Sequence, residues 1–497
     1  MTELAVNNRA RAAHESVERH DVEAVNAAAR RGLYKAREPI YPKAVNGKFR
    51  TLKWTLLIVT LGVYYVLPWL RWPRGPGEPD QAVMVDFPGR RFYFFFIEIW
   101  PDELYFLTGL LILAALALFF ATALFGRVWC GYACPQTVWT DLFIAVERLV
   151  EGDRNKRIHF ARAPWTASKA GKKVVKHALW LLIAMGTGGA WVFYFHDAPA
   201  ILPKIFNGAA PASAYLFIGI LTFTTYVLAG SMREQVCTYM CPWPRIQAAL
   251  VDADTLQVTY KRDRGELRGP HKKGEPWEGR GDCVSCRACV AACPMGIDIR
   301  DGDQLECINC ALCIDACDEI MKKVGRPTGL IGYDTNINLS RRAAGERPVF
   351  RIIRPRTILY AVLLAAVGGL MTWGLSTRAT MEINVLRDRT PPFVKLSDGS
   401  VRNAYTVKLV NKDDGPRLFR VTFDGPEGMM VSAVGETVEG ASADVVVDGD
   451  TVRAVRMFAT LDPGPATRSS EPVRIIARDI VSGETAENPT VFLLGER

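Results

Sequence analysis

The residues able to do chemistry are cysteines, and all twelve fall in four tight groups between Cys130 and Cys317. Two groups are runs of four. Cys283, Cys286, Cys289 and Cys293 form the first, and Cys307, Cys310, Cys313 and Cys317 the second. Both have the spacing C-x2-C-x2-C-x3-C. Pro294 follows the first run and Asp318 the second. Three thiolates from one tight loop can hold three corners of an iron–sulfur cubane, and in paired runs the fourth cysteine of each serves the other cluster. The spacing therefore predicts one 4Fe–4S cluster on Cys283, Cys286, Cys289 and Cys317, and a second on Cys307, Cys310, Cys313 and Cys293. Four thiolates also suit structural zinc, but zinc motifs pair short C-x2-C knuckles, not runs of four. Asp318 removes no ligand and is expected to alter the local turn.

The other groups are Cys130-Gly-Tyr-Ala-Cys134-Pro135 and Cys237-Thr-Tyr-Met-Cys241-Pro242. Both read C-x-Y-x-C-P and both follow an apolar run, as an internal repeat would. Proline ends or kinks a helix, which can turn the four cysteines towards one another. Soft thiolates, with Met232 and Met240 close by, suit Cu(I). Another iron–sulfur cluster, a redox-active thiol pair and plain packing at helix ends are the alternatives. His177 and His196 flank the third apolar run and read as interface or loop residues, not as haem ligands. Glu98, Asp102 and Glu103 read as a solvated acidic edge. Thiols grouped in this way point to metal ligation on a reducing side, not to a disulfide framework. The polar N-terminus shows no secretory signal.

These groups need a scaffold. The chain has 497 residues, 49% of them hydrophobic, and a formal charge of +9, too long for one compact domain. Five apolar runs approach the length a bilayer needs: about 54–70, 104–125, 174–195, 213–230 and 357–376. The aromatic stretch "RFYFFFIEIW" (91–100) is too short to span and is expected to lie at the interface. Positive charge gathers before the first run (Arg30, Arg31, Lys35, Arg37, Lys43, Lys48, Arg50, Lys53). It gathers again between the second and third (Arg148, Arg154, Lys156, Arg157, Arg162, Lys169, Lys172, Lys173). Only Lys204 lies between His196 and Ala212. The positive-inside rule then puts the N-terminus and the cysteine runs in the cytoplasm and the C-terminus outside. The basic balance thus reads as topology and lipid contact, not as nucleic-acid binding. Part of the N-terminal arm, "HDVEAVNAAARRGLYKA", has helical character. After the last apolar run, short alternating segments such as "YTVKLVNK" and "TVRAVRMFATL" predict an all-β sandwich.

The expected fold is a multi-pass α-helical membrane protein with an inserted two-cluster ferredoxin-like domain and a C-terminal all-β immunoglobulin-like sandwich. Its parts are an N-terminal arm (1–53), a four-helix membrane region (54–250) and a ferredoxin-like domain (251–350). A fifth membrane helix (351–379) and a periplasmic sandwich (380–497) complete it.

The segments "VWCGYACPQTVWTD", "VCTYMCPWPRIQ", "CVSCRACVAACPMGIDIR" and "CINCALCIDACD" resemble the FixG/CcoG family, the RdxA-type accessory proteins of the cbb-type cytochrome c oxidase. The resemblance runs from "YPKAVNGKFR" onward and is architectural in the C-terminal part. It implies a protein of the bacterial cytoplasmic membrane that reduces Cu(II) to Cu(I) for oxidase assembly. It also implies two 4Fe–4S clusters, copper as substrate, and oxidase assembly factors with a copper chaperone or transporter as partners. The electron donor is unknown. The alternatives are a quinol-linked relay to another respiratory acceptor and a non-enzymatic scaffold or redox sensor.

Overall fold

The computed structural model describes residues 17–26, 38–74, 78–271, 275–413, 415–462 and 469–494. The chain divides into two compact units, Met1–Met371 and Thr372–Arg497.

The first unit begins with α1 (Lys48–Val66). A three-stranded antiparallel meander follows, β1 (Val83–Asp86), β2 (Arg91–Phe94) and β3 (Ile97–Ile99). It leads into α2 (Tyr105–Phe125). The aromatic stretch 91–100 is a hairpin that leads into α2. Its alternation sends Tyr93 inward, 1% exposed, while Phe96 stays open. Of the expected solvated acidic edge, Asp102 is exposed but Glu98 and Glu103 are not. Glu98 lies 3.9 Å from Arg74, and buried Glu103 accepts the Trp100 amide at 3.3 Å.

Next come α3 (Val128–Tyr132), α4 (Pro135–Glu151), α5 (Arg154–Arg162), α6 (Ala167–Val192), α7 (Ala198–Phe206) and α8 (Ala212–Thr225). The α8 helix widens into π-helical turns at Tyr226–Met232 and Val236–Met240 before α9 (Trp243–Leu250). Among the described residues, four helical stretches are long and apolar enough to cross a bilayer: Lys48–Trp69, Pro101–Phe125, Ala212–Met232 and Pro355–Ser376. Little of their apolar surface is covered by the chain, at most 17% of the most hydrophobic window, as lipid-facing helices require.

The third expected span is present as the 26-residue α6 but is not one of these four. Lys169, Lys172, Lys173, Lys176 and His177 fill its first turns, and "GTGG" (186–189) dilutes its apolar content. It packs tightly on α8, since a Cβ on Gly188 would lie 2.7 Å from the Ile218 carbonyl oxygen. His177 bonds the Tyr226 hydroxyl at 2.8 Å, a packing role between helices.

Strands β4 (Gln257–Tyr260) and β5 (Ile331–Asp334) pair antiparallel and bracket the eight-cysteine segment. Between them lie α10 (Arg262–Gly265), α11 (Ala288–Ala292) and α12 (Leu312–Lys323). Then come α13 (Asn336–Ala343) and the apolar α14 (Pro355–Ser376).

The second unit is all β. One sheet has the order β10-β13-β8-β6, with β7 also on β8, and the other β11-β12-β9-β14-β15. The strands are β6 (Met381–Arg387), β7 (Val394–Lys395), β8 (Val401–Asn411), β9 (Arg417–Asp424) and β10 (Met430–Ala433). The rest are β11 (Thr437–Glu439), β12 (Ser442–Val447), β13 (Thr451–Leu461), β14 (Ser470–Asp479) and β15 (Thr485–Leu493). Strict alternation along β8 buries Tyr405, Val407 and Leu409 against Phe419, Val421 and Ile475, the pattern of two sheets sharing one core.

Candidate metal centre

The two cysteine runs fold alike. Ser285 and Asn309 stand two residues after the first cysteine of their runs, and Arg287 and Ala311 stand four after. All four have φ between 51° and 60°. Non-glycine residues seldom adopt this left-handed backbone. Used twice per run, it curls the chain so that amides point inward, the concave nest that anionic iron–sulfur centres occupy. Each run then enters a short helix, α11 or α12. Asp318 replaces the expected proline, and its carboxylate accepts the Gly329 amide at 2.7 Å. It thereby fastens the loop that leads to β5.

The fourth cysteine of each run lies among the thiols of the other. Cys317 feels Cys286 and Cys283, and Cys293 feels Cys310 and Cys307. A cavity is lined by Cys289, Cys293, Cys307, Cys310 and Cys313, closed by Val258, Ile297 and Ile308. Among the described residues, no three cysteine sulfurs come within 4.8 Å of one another. Tetrahedral zinc draws its sulfurs to about 3.8 Å, given Zn–S bonds of about 2.3 Å. The nests, the apolar walls and this wider spacing fit cubanes better than zinc. Burial pushes the thiols up, Cys307 to about 11 and Cys293 to about 12. Cys286, Cys289, Cys313 and Cys317 are raised for the same reason. Backbone amides oppose that shift by donating to Cys286, Cys293, Cys307 and Cys317.

The C-x-Y-x-C-P repeat extends further than its sequence. Each copy breaks four residues before its first cysteine, at Gly126 (φ 61°, ψ −134°) and at Arg233 (φ 46°, ψ −112°). Each second cysteine is extended, Cys134 at φ −61°, ψ 127° and Cys241 at φ −80°, ψ 122°. Its proline then opens the next helix, where a missing amide costs nothing. The two copies bring all four thiols together: Cys130 feels Cys134 and Cys241, and Cys237 feels Cys134, Cys130 and Cys241. Burial raises Cys130 to about 11 and Cys237 to about 12. The Cys130 thiol donates to Gln247 Oε1 at 2.9 Å.

The two thiol groups adjoin. A Cβ on Gly131 would lie 2.6 Å from the Ile308 carbonyl oxygen and 3.1 Å from Cys310 Cα. The Tyr132 hydroxyl donates to the Cys310 carbonyl at 3.3 Å, and Tyr333 donates to that of Asn309 at 2.8 Å. Asp315, inside the second run, accepts the Phe49 and Arg50 amides at 3.3 and 2.7 Å. It thereby caps α1 and seats the module on the first membrane-capable helix.

The N-terminal arm is part of the site, which its polar sequence does not reveal. The expected helix over 20–36 is absent from His20–Asn26, and the rest of it, with Arg30, Arg31 and Lys35, lies outside the described residues, as does Arg37. Instead, residues 17–26 strap the first run. The His20 amide donates to the Cys286 carbonyl at 3.0 Å, the Asn26 amide to Gly296 at 3.1 Å, and the Asn26 side chain to Met295 at 2.7 Å.

Known proteins match this layout. A family model described as a 4Fe–4S dicluster domain matches residues 232–336, and one described as a 4Fe–4S binding domain matches 107–154. A third, the IG-like fold at the C-terminal of FixG, matches 371–495. Nitrogen fixation protein FixG of Rhizobium meliloti (strain 1021) is 50% identical over 499 residues, covering 94% of this chain and 95% of that protein. The chain belongs to the FixG/RdxA/RdxB family. Protein RdxB of Cereibacter sphaeroides is 50% identical over 93% of this chain and 97% of its own length. Protein RdxA of the same organism is 51% identical over 89% and 94%. With two 4Fe–4S binding regions and four membrane-capable helices, this FixG-family chain is a membrane-associated iron–sulfur electron-transfer protein of the oxidoreductase type.

Proposed function

We propose that this chain is a membrane cupric reductase, passing single electrons through its eight-cysteine module to Cu(II) at the four-thiol site. The observation that carries this reading is the convergence of Cys130, Cys134, Cys237 and Cys241 directly against the Cys310 loop. Cys283, Cys286, Cys289 and Cys317 would hold one 4Fe–4S cluster, and Cys307, Cys310, Cys313 and Cys293 the other. When bound, these clusters supply one-electron storage and relay.

The chain's own residues do the rest. The edge thiols give up their protons and bind copper as soft thiolates, which favour Cu(I) over Cu(II). Each Cu(II) takes one electron and needs no proton from the protein. Gln247 orients the Cys130 sulfur, and Gly131 keeps the edge loop within backbone contact of the second run.

In this reading five helices cross the bacterial cytoplasmic membrane, α6 included. Its 26 residues give about 39 Å at 1.5 Å each, enough for the hydrocarbon core. The N-terminus and cysteine runs lie in the cytoplasm and the β-sandwich in the periplasm. Reduced copper would pass through a copper chaperone or transporter to the assembly factors of a cbb-type oxidase.

The purified protein is expected to hold about eight irons, from two cubanes. A Cys130→Ser, Cys237→Ser double variant should keep them and lose copper reduction. Wild-type reduction rates in that variant would refute the edge site. A second reading has its own support: the 4Fe–4S binding domain matched over 107–154 contains only Cys130 and Cys134. A third cluster there would borrow Cys237 and Cys241, and about twelve irons would then be found.

A further inference from the structure

Arg127 occupies the gap between the two thiol groups. It follows α2 by two residues and is 5% exposed. One guanidinium nitrogen donates to the Leu305 carbonyl, two residues before Cys307. Its charge acts on Cys130, Cys237 and Cys307. Its Nε is buried with no hydrogen-bond partner. Among the described residues no carboxylate lies within ion-pair distance of it. This contrasts with buried Arg50 and Arg157, which face Asp141 and Glu147.

A buried cation without a countercharge is strongly unfavourable. The thiolates that metal binding creates on both sides are the countercharges within reach. Net charge and hydrogen bonding are the levers by which a protein sets the potential of such centres. We propose that Arg127 is a positioning residue whose fixed positive charge favours the reduced form of the second-run centre, keeping it within electron-transfer range of the edge thiols. The inference rests on the reading above that both thiol groups hold redox centres. The step it tunes is a one-electron exchange: the second-run side is oxidised by one electron, the edge side is reduced by one, and no proton moves.

The test is a potentiometric titration of the full-length protein, followed by paramagnetic resonance, with iron content measured on the same sample. Arg127→Gln should keep its iron and lower the midpoint of one centre while the other stays put. The expected shift is at least tenfold in the reduced-to-oxidised ratio, about 59 mV for one electron. Arg127→Lys should restore most of it. A fully iron-loaded Gln variant with both midpoints unchanged would overturn the proposal, as would a Lys variant shifted equally. Should the Gln variant lose iron, Arg127→His substitutes for it. Its midpoint should be higher at about pH 5.5 than at about pH 8, either side of the histidine pKa, and a pH-independent midpoint would overturn the assignment. Iron loss in all three variants would make Arg127 structural and overturn it too. Absence of iron from the wild-type runs would instead sink the reading beneath it.

Discussion

At the residue scale, Gly131 and the buried thiols carry the account. Gly131 has no room for a side chain, because both atoms nearest a new Cβ are backbone. Gly131→Ala should destabilise the protein by about 1–3 kcal/mol through overpacking and broaden the spectrum of the second-run cluster. Thermal unfolding and paramagnetic resonance check both outcomes, and an unchanged pair would mean the contact is dispensable. The thiols set a pH dependence. Unfolded, they ionise near 9, whereas folded Cys130, Cys237, Cys293 and Cys307 hold their protons to about 11 or 12. Between those values the unfolded chain binds fewer protons, so the stability of metal-free protein falls as pH rises. Its unfolding temperature should drop between about pH 8 and about pH 11, and metal should bind with proton release. The cysteine grouping was legible in the sequence because ligand spacing is local chemistry. Arg127 was not, since nothing in "FGRVWCGYACP" tells that its guanidinium turns towards a loop 178 residues away.

At the element scale, the helices meet in a buried ion cluster. Glu147 of α4 faces Arg157 of α5, Arg233 at 2.6 Å and Lys176 of α6 at 3.5 Å. Arg50 of α1 holds Asp141 at 2.9 Å. Arg50 and Arg157, two of the charges that the positive-inside rule counts, are therefore packing partners as well. Burial raises the Glu147 carboxyl, but Arg233 and Arg157 outweigh it and hold the group below its ordinary value. Glu147→Gln leaves Arg233 without its carboxylate, while Glu151 still faces Lys176 at 2.9 Å and Arg157 at 3.8 Å; it should cost about 3–5 kcal/mol, measured as lost thermal stability in detergent. The N-terminal strap escaped sequence reasoning for a physical reason: it binds largely through backbone amides and carbonyls, which carry no residue signature. Asn26 is the exception. Asn26→Ala removes the 2.7 Å bond to Met295 and should cost about 1–3 kcal/mol by leaving a buried carbonyl unpaired. The second-run cluster, which would take Cys293 two residues before Met295, should then bleach faster in air while the first is spared.

At the scale of the whole molecule, the order of parts was legible: apolar helices, the cysteine module, and strands after the last helix. Five crossings are expected from the sequence, whereas four helices among the described residues have the length and composition of a span, because lysines and glycines dilute α6. Parity decides where the sandwich lies, since five crossings separate the termini and four do not. An alkaline phosphatase fused after Arg497 should be active only if the C-terminus is periplasmic. Inactivity there, with full membrane insertion, would remove α6 from the membrane. The central claim is that electrons stored in the eight-cysteine module leave for copper. Stopped-flow mixing of the reduced protein with Cu(II), and separately with a quinone, tests it most directly. Cu(II) should oxidise the clusters at one electron per copper ion and faster than quinone does. Clusters that stay reduced in Cu(II) while quinone oxidises them would contradict it.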